Sequence, residues 1–173
     1  MEKYIPDIYQ KDIYSINYDN LLNRGIKNLL FDLDNTIAPI FEKHPSEDVI
    51  NLFKFLKSKK FKIMIVSNSI DARVSVFANV LKVEYLCSAK KPKNNKLLKL
   101  INDNKFDIDK TAIIGDSMMD DVVVGNSVGI TTILTDQLNK HEFPIAKIKR
   151  IKERRMQKKL RDNNLFTKGR YYE

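Results

Sequence analysis

The sequence is poor in the residues that staple, ligate or span. One cysteine, Cys87, stands among 173 residues. It cannot form an internal disulfide, which suits a reducing compartment, and in the apolar stretch "VEYLCS" it reads as a small buried hydrophobe. His44 and His141 lack partner residues at ligand spacing, so neither marks a zinc site. No run approaches the ~20 consecutive apolar residues of a membrane-spanning helix. The start, "MEKYIPDIYQKDIY", lacks the basic and apolar regions of a signal peptide, so a cytoplasmic protein is expected. Neither an internal repeat nor a low-complexity linker interrupts the chain.

What is present fits a soluble globular protein: 43% hydrophobic and 31% charged residues, in a length that supports one full core. The net charge of +9 is unevenly placed. Residues 140–173 hold 12 Lys/Arg against 4 Asp/Glu, a balance of +8, while residues 1–139 are nearly neutral at +1. The basicity therefore belongs to the tail and speaks of a local partner, such as an anionic membrane or RNA, rather than of the fold.

After about residue 26, two kinds of segment alternate. "IKNLLFD" (26–32), "KIMIVSN" (62–68), "VEYLC" (83–87), "TAIIGD" (111–116) and "GITTILT" (129–135) are short runs rich in Ile, Val and Phe. Several are apolar nearly throughout, as strands covered on both faces are. Helical patterns lie between them. "SEDVINLFKFLKSKK" opens on Ser46, carries acids early and Lys late, and is apolar at Val49, Ile50, Phe53 and Leu56. Residues 71–81, 94–104 and 120–129 are the others, and "YDNLLNRG" predicts a short helix ending at Gly25. Such alternation predicts an α/β fold, a parallel sheet of about five strands with helices on both faces.

Ligands of such sheets bind outside the carboxyl ends of the strands. Asp32 and Asp34 close the first run, Ser67 and Asn68 the second, Gly115 and Asp116 the fourth. Asp32, Asp34 and Asp116 would repel one another without a cation, and hard oxygen ligands with room for water and phosphate describe Mg²⁺. One carboxylate could then act as nucleophile and Asp34 as general acid and base. Ser67 and Lys91 could hold phosphoryl oxygens. The bland alternatives are solvated carboxylates in a strand-end turn, a helix cap at Ser67 and Asn68, surface lysines, and helix-start acids at Asp120 and Asp121.

The motifs resemble a known superfamily. "FDLDNT" is similar to the first motif of the haloacid dehalogenase-like (HAD) phosphatases, "IVSNS" to the second, "KKP" to the third and "IIGDSMMDD" to the fourth, in order. The resemblance implies a Rossmannoid three-layer sandwich. It makes Asp32 the nucleophile and a metal ligand, and Asp34 the acid/base whose backbone carbonyl also ligates Mg²⁺. Ser67 and Asn68 become phosphate-binding residues. Lys91 becomes the motif-three lysine, with Lys90 as runner-up. Asp116 and Asp121 complete the metal ligands, with Asp120 an alternative to Asp121. An acid two residues after the nucleophile is what the phosphatases of the superfamily have and the dehalogenases lack.

Thr36 and Ser67 are separated by 30 residues, Ser67 and Lys91 by 23. Neither gap holds a cap domain, which resembles the capless subclass. "IPDIY", "LLNRGIKNLLFDLDNT", "AKKP", "GDSMMDDVVVGN" and "IKERR" resemble the bacterial YqeG family of subclass IIIA, related to the mitochondrial phosphatidylglycerophosphatases. That resemblance implies hydrolysis of phosphatidylglycerophosphate, a phospholipid precursor. Sugar, nucleotide or nucleic-acid end phosphates are the alternative substrates.

The expected organisation is a phosphatase domain over 1–139, with 1–25 packing on it, and a basic amphipathic tail over 140–173. In the tail, Ile145, Ile148, Met156 and Leu160 share a helical face, Ile151 lies nearer its edge, and Lys/Arg largely fill the rest. Residues 145–160 could bind an anionic membrane, at ~1 kcal/mol per basic side chain near the surface, placing the protein peripherally on the inner face of the cell membrane. The competing reading is a binding protein on a phosphatase scaffold that docks RNA or a ribosomal particle, with Tyr171 and Tyr172 as weak candidates for base stacking.

Overall fold

The computed structural model describes residues 1–139 and 144–173, with side chains described for 1–139 and 150–173. The strands are β1 (Ile8–Gln10), β2 (Asn28–Phe31), β3 (Lys62–Val66), β4 (Glu84–Leu86), β5 (Thr111–Gly115) and β6 (Thr131–Thr135). The helices are α1 (Tyr18–Asn23), α2 (Glu47–Ser58), α3 (Asp71–Leu81), α4 (Asn95–Asp103), α5 (Val123–Val128) and α6 (Pro144–Asp162). All neighbouring strands pair in parallel, in the order β1-β6-β5-β2-β3-β4.

The apolar runs alternate between two cores, which is why they lack a polar face. Leu29, Phe31, Ile63, Ile65 and Ile114 pack with α2 and α3 through Val49, Phe53, Leu56, Val74 and Phe77. Leu30, Met64, Val66 and Ile113 point the other way, onto Leu97, Leu100 and Ile101 of α4 and Val124 and Val128 of α5. The sheet therefore has helices on both faces, as the alternation predicts. Helix α2 begins where its cap predicts, with Ser46 accepting a hydrogen bond from the Val49 N–H at 3.3 Å. Its Lys57 ammonium donates to the Leu81 and Lys82 carbonyls at the end of α3, at 2.6 and 2.8 Å.

The sheet has six strands where the sequence predicts about five. The addition is β1, three residues long and therefore too short to show a period. It is fixed on β6 by Asp7, whose carboxylate accepts from the Thr132 backbone N–H at 2.7 Å and the Thr132 hydroxyl at 2.9 Å. The other edge of β1 is covered by the C-terminal segment, as Tyr9 and Tyr172 exchange a pair of backbone hydrogen bonds at 2.9 Å.

A third core joins that segment to the sheet. Leu160 and Phe166 are buried with Tyr9, Met118, Val122 and Leu134, and Met156 and Tyr172 pack against them. The apolar face read in the tail is thus occupied by protein at Met156 and Leu160, while Ile151 is exposed. Ile145 and Ile148 lie outside the described side chains.

Strand β2 sits between β5 and β3, and the chain moves outward from it in both directions. That reversal opens a crevice beyond the carboxyl ends of β2 and β5. Each gap between the site-bearing strands is filled by ordinary crossover elements: α2 lies between β2 and β3, and α3 between β3 and β4. No cap domain occurs among the described residues.

Candidate active site

A cavity of about 190 Å³ lies in that crevice, lined among others by Asp32, Asp34, Ser67, Lys91, Asp116 and Asp121. Asn68 and Asp120 also reach its wall. The residues predicted from strand ends therefore converge, although they come from four separate segments of the chain.

Asp32 leaves β2 directly and is buried. One of its carboxylate oxygens accepts from the Lys91 ammonium at 2.7 Å, the other from the Thr36 hydroxyl at 3.2 Å. Lys91 spends its three N–H donors on Asp32, on Asp121 at 2.5 Å and on the Val66 carbonyl at 2.7 Å. Lys90 is exposed, and Lys91 is the lysine of "KKP" that lines the cavity. The Asn68 side chain clamps the Lys91 backbone, accepting from its N–H at 2.7 Å and donating to its carbonyl at 3.0 Å. Its amide is thus engaged in positioning the lysine.

Asp116 follows β5, and Asp121 returns to the same point from a π-helical turn, Met118–Val122, capped by the Ser117 side chain. The Ser117 N–H donates to Asp121 Oδ2 at 3.1 Å. Gly115 makes this approach possible: a Cβ there would stand 2.2 Å from Asp121 Cγ. Asp120 lies on the same turn, where its N–H donates to the Ser117 hydroxyl at 3.2 Å. In placement, Asp121 joins the acid cluster.

Ligand atoms of Asp32, Asp116 and Asp121 lie within 4.8 Å of one another. Burial pushes the Asp32 carboxyl up to about 7, against the pull of Lys91, while Asp121 and Asp34 add to the rise. Burial likewise holds Asp116 well above the usual carboxylate range, with Arg150 pulling it down, and raises Asp121 against Lys91. Burial alone would lower Lys91, but Asp121 and Asp32 outweigh it and raise the ammonium. Three buried carboxylates that resist ionisation, all hard oxygen donors, fit a divalent cation such as Mg²⁺. Asn35 Oδ1, buried in the same wall, has no hydrogen-bond partner among the described residues and adds a further oxygen to that environment.

The Asp34 side chain stands apart from this cluster. Its Oδ1 accepts from Arg73 Nε at 3.0 Å and pairs with the second Arg73 nitrogen at 2.9 Å, and its Oδ2 accepts from the Ser69 hydroxyl. Arg73 also donates to the Pro39 and Glu42 carbonyls, tying the loop after β2 to α3. Ser67 is buried at the end of β3, where its hydroxyl accepts from the Ser69 N–H at 3.1 Å.

Sequence reasoning missed Arg73, Ser69, Arg150 and Glu153. The last two come from α6. Arg150 pairs with the Asp116 carboxylate and with Glu153, the latter at 2.8 Å. A signal for Glu153 exists, since it is the lone acid in the run "AKIKRIKERRMQKKLR".

The family described as mitochondrial PGP phosphatase matches residues 1–139. The chain belongs to that family. A curated relative of this phosphatase, "Probable phosphatase YqeG" of Bacillus subtilis (strain 168), is 29% identical over 153 residues, covering 88% of this chain and 89% of the relative. Solved structures share the fold. A "putative HAD superfamily (subfamily III A) hydrolase" from Legionella pneumophila aligns with TM-score 0.52 at 18% identity, over 72% of this chain and 76% of that one. A HAD family enzyme from Bacteroides thetaiotaomicron aligns with TM-score 0.54 at 14% identity, over 67% and 96%. The α/β fold is the one these HAD structures share, and the family match makes the protein a phosphatase. No helix among the described residues is long and apolar enough to cross a membrane.

Proposed function

We propose that this phosphatase is a Mg²⁺-dependent phosphomonoester hydrolase that works through an aspartyl-phosphate at Asp32, and that its substrate is a lipid phosphate, phosphatidylglycerophosphate. The observation that carries the mechanism is Asp32 itself, buried at the end of β2 with its carboxylate held by Lys91 and Thr36 beside two further acids. Asp32, Asp116 and Asp121, with the Asp34 carbonyl, would hold the metal. The bound ion would supply charge neutralisation at the phosphoryl oxygens and favour ionised Asp32.

In the first half-reaction an Asp32 oxygen forms a bond to phosphorus as the phosphorus–oxygen bond of the ester breaks. Protonated Asp34 gives its proton to the departing alkoxide. In the second, water attacks phosphorus and passes a proton to Asp34 while the bond to Asp32 breaks, which returns Asp32 and releases inorganic phosphate. Arg73 and Ser69 keep the Asp34 carboxylate oriented at the rim. Ser67 offers its hydroxyl, and Asn68 its backbone N–H, to the phosphoryl oxygens. The Asn68 side chain acts through Lys91.

The lipid reading draws on the match of 1–139 to the mitochondrial PGP phosphatase family and on the surroundings of the site. The crevice is open, with ordinary crossovers in place of a cap. Phe41 and Ile70, 59% and 67% exposed, stand on the loops that follow β2 and β3. Lys152, Arg154, Arg155, Lys158 and Lys159 are exposed on α6 and could meet anionic headgroups. A peripheral position on the inner face of the membrane follows from this reading. Met156 and Leu160 are committed to the protein's own core, so α6 would contribute charge rather than an inserted face. RNA docking draws no support from Tyr171 and Tyr172: Tyr171 donates to Asp136 at 2.7 Å, and Tyr172 pairs with Tyr9.

The test is phosphate release from phosphatidylglycerophosphate in vesicles, set against a soluble aryl phosphate, with Mg²⁺ present. Turnover of the lipid, reduced in a Phe41→Ala, Ile70→Ala double variant on vesicles but not on the aryl ester, supports the lipid reading. Turnover of the aryl ester alone keeps the phosphatase and discards this substrate.

A further inference from the structure

The described site contains a residue that neither the sequence motifs nor the family match reaches. Arg150 lies on α6, beyond the matched 1–139 segment, yet its guanidinium lines the catalytic cavity. One nitrogen pairs with Asp116 Oδ2; the other donates to Glu153 Oε2 at 2.8 Å and comes within 3.5 Å of the Asp116 carbonyl.

Glu153 is what aims this fork. It is buried, and its second oxygen accepts from the Met118 N–H at 3.1 Å, at the start of the turn that delivers Asp121. The guanidinium is thus held from behind by one carboxylate and presented to another. Asp116 in turn belongs to the acid cluster whose atoms lie within 4.8 Å of one another. Lys91 neutralises Asp32 and Asp121 but makes no bond to Asp116. Arg150 supplies the positive charge there.

We propose that Arg150 is a built-in counter-ion that holds Asp116 when the site lacks metal, and that a divalent cation binds in competition with it. A dication at the acid cluster and a guanidinium on the same carboxylate repel each other, so each weakens the other's hold on Asp116. Because such coupling is reciprocal, metal binding also loosens the attachment of α6 at this point, which links the C-terminal helix to the state of the active site. Arg150 is thus a positioning residue. The inference rests on the reading of Asp32, Asp116 and Asp121 as the metal site.

The experiment is calorimetric titration of Mg²⁺ into the full chain and its Arg150→Gln and Arg150→Lys variants, at matched ionic strength and without substrate. Arg150→Gln should bind Mg²⁺ about tenfold more tightly than wild type, within the usual range of couplings between sites. Arg150→Lys keeps the charge but cannot span Asp116 and Glu153 as a fork, so its affinity should fall between the two. If Arg150→Gln is unfolded without metal and folds on adding Mg²⁺, the dication has replaced the missing cation, which also supports the proposal. If it fails to fold in both conditions, Arg150→Lys decides, and an affinity equal to or weaker than wild type overturns the proposal. Equal or weaker binding by a folded Arg150→Gln does the same. Absence of Mg²⁺ binding in every protein overturns the metal reading itself.

Discussion

The Lys91 ammonium and the Asp32 carboxylate, 59 residues apart in sequence, meet at 2.7 Å in the buried floor of the crevice. The same ammonium reaches Asp121, so one cation joins the end of β2 to the turn after β5. Removing it leaves two buried carboxylates without their counter-charge. Lys91→Met should therefore lower stability by ~3–5 kcal/mol in the metal-free protein. Its exposed neighbour, as Lys90→Met, should stay within ~0.5 kcal/mol. Urea denaturation of both variants checks the contrast, and equal losses would mean that the ion pair is not what sets Lys91 apart.

Gly115 has a more local duty. Its missing side chain is the space into which Asp121 fits, since a Cβ would stand 2.2 Å from Asp121 Cγ. Gly115→Ala should displace Asp121 and weaken Mg²⁺ binding by at least tenfold, with an overpacking cost of ~1–3 kcal/mol. Calorimetry with Mg²⁺ reads the first effect and thermal melting the second.

Arg73 binds Asp34 with two nitrogens and the loop after β2 through the Pro39 and Glu42 carbonyls. Arg73→Ala should lower kcat by ~10–100-fold if Asp34 is the acid and base, within the ~10²–10⁴-fold span of proton-transfer catalysis. Arg73→Lys, without a fork that places two nitrogens on Asp34 Oδ1 while reaching the loop carbonyls, should recover little of that loss. Initial rates on an aryl phosphate decide, and full activity in Arg73→Ala would separate Asp34 orientation from catalysis.

The edge strand and the C-terminal segment are joined by tyrosines whose hydroxyls resist ionisation. Burial and the nearby Asp7 push Tyr172 up to about 12, and burial and Asp136 raise Tyr9 as well. In the unfolded chain a tyrosine ionises near ~10, so the folded protein holds these protons to higher pH. Where the folded state binds more protons, stability falls as pH rises. The contribution is intact below ~10 and is lost as pH climbs toward the folded values. Thermal melting from pH 8 to 12 should show this decline, and Tyr172→Phe should flatten part of it.

How much of this was legible before the fold depends on the residue. The β2, β3 and β5 runs end in polar side chains because buried parallel strands leave their apolar character at the crevice, so Asp32, Ser67 and Asp116 stand out in one dimension. Asp121 is legible only as one of an adjacent pair, because the π-helical turn that selects it over Asp120 leaves no period in the sequence. Strand β1 is hidden by its length and by the polar Asp7 and Gln10 at its ends, and it is held by partners more than a hundred residues away. Arg73 looks like an ordinary cation on a helix. Arg150 is concealed by the basic residues around it, and the apolar stripe that suggests a membrane-facing helix turns inward at Met156 and Leu160. Periodicity shows that a helix has an apolar face but not what covers it.

The proposed function makes Asp32 the nucleophile of a metal-dependent phosphatase. The most direct measurement is phosphate release from an aryl phosphate by wild type and by Asp32→Asn, each with Mg²⁺ and after its removal by a chelator. Turnover in the wild type should disappear on chelation and return with Mg²⁺, and Asp32→Asn should show none above background while its fold is retained. Turnover by Asp32→Asn at a rate near wild type, or turnover indifferent to the metal, would contradict the proposed function.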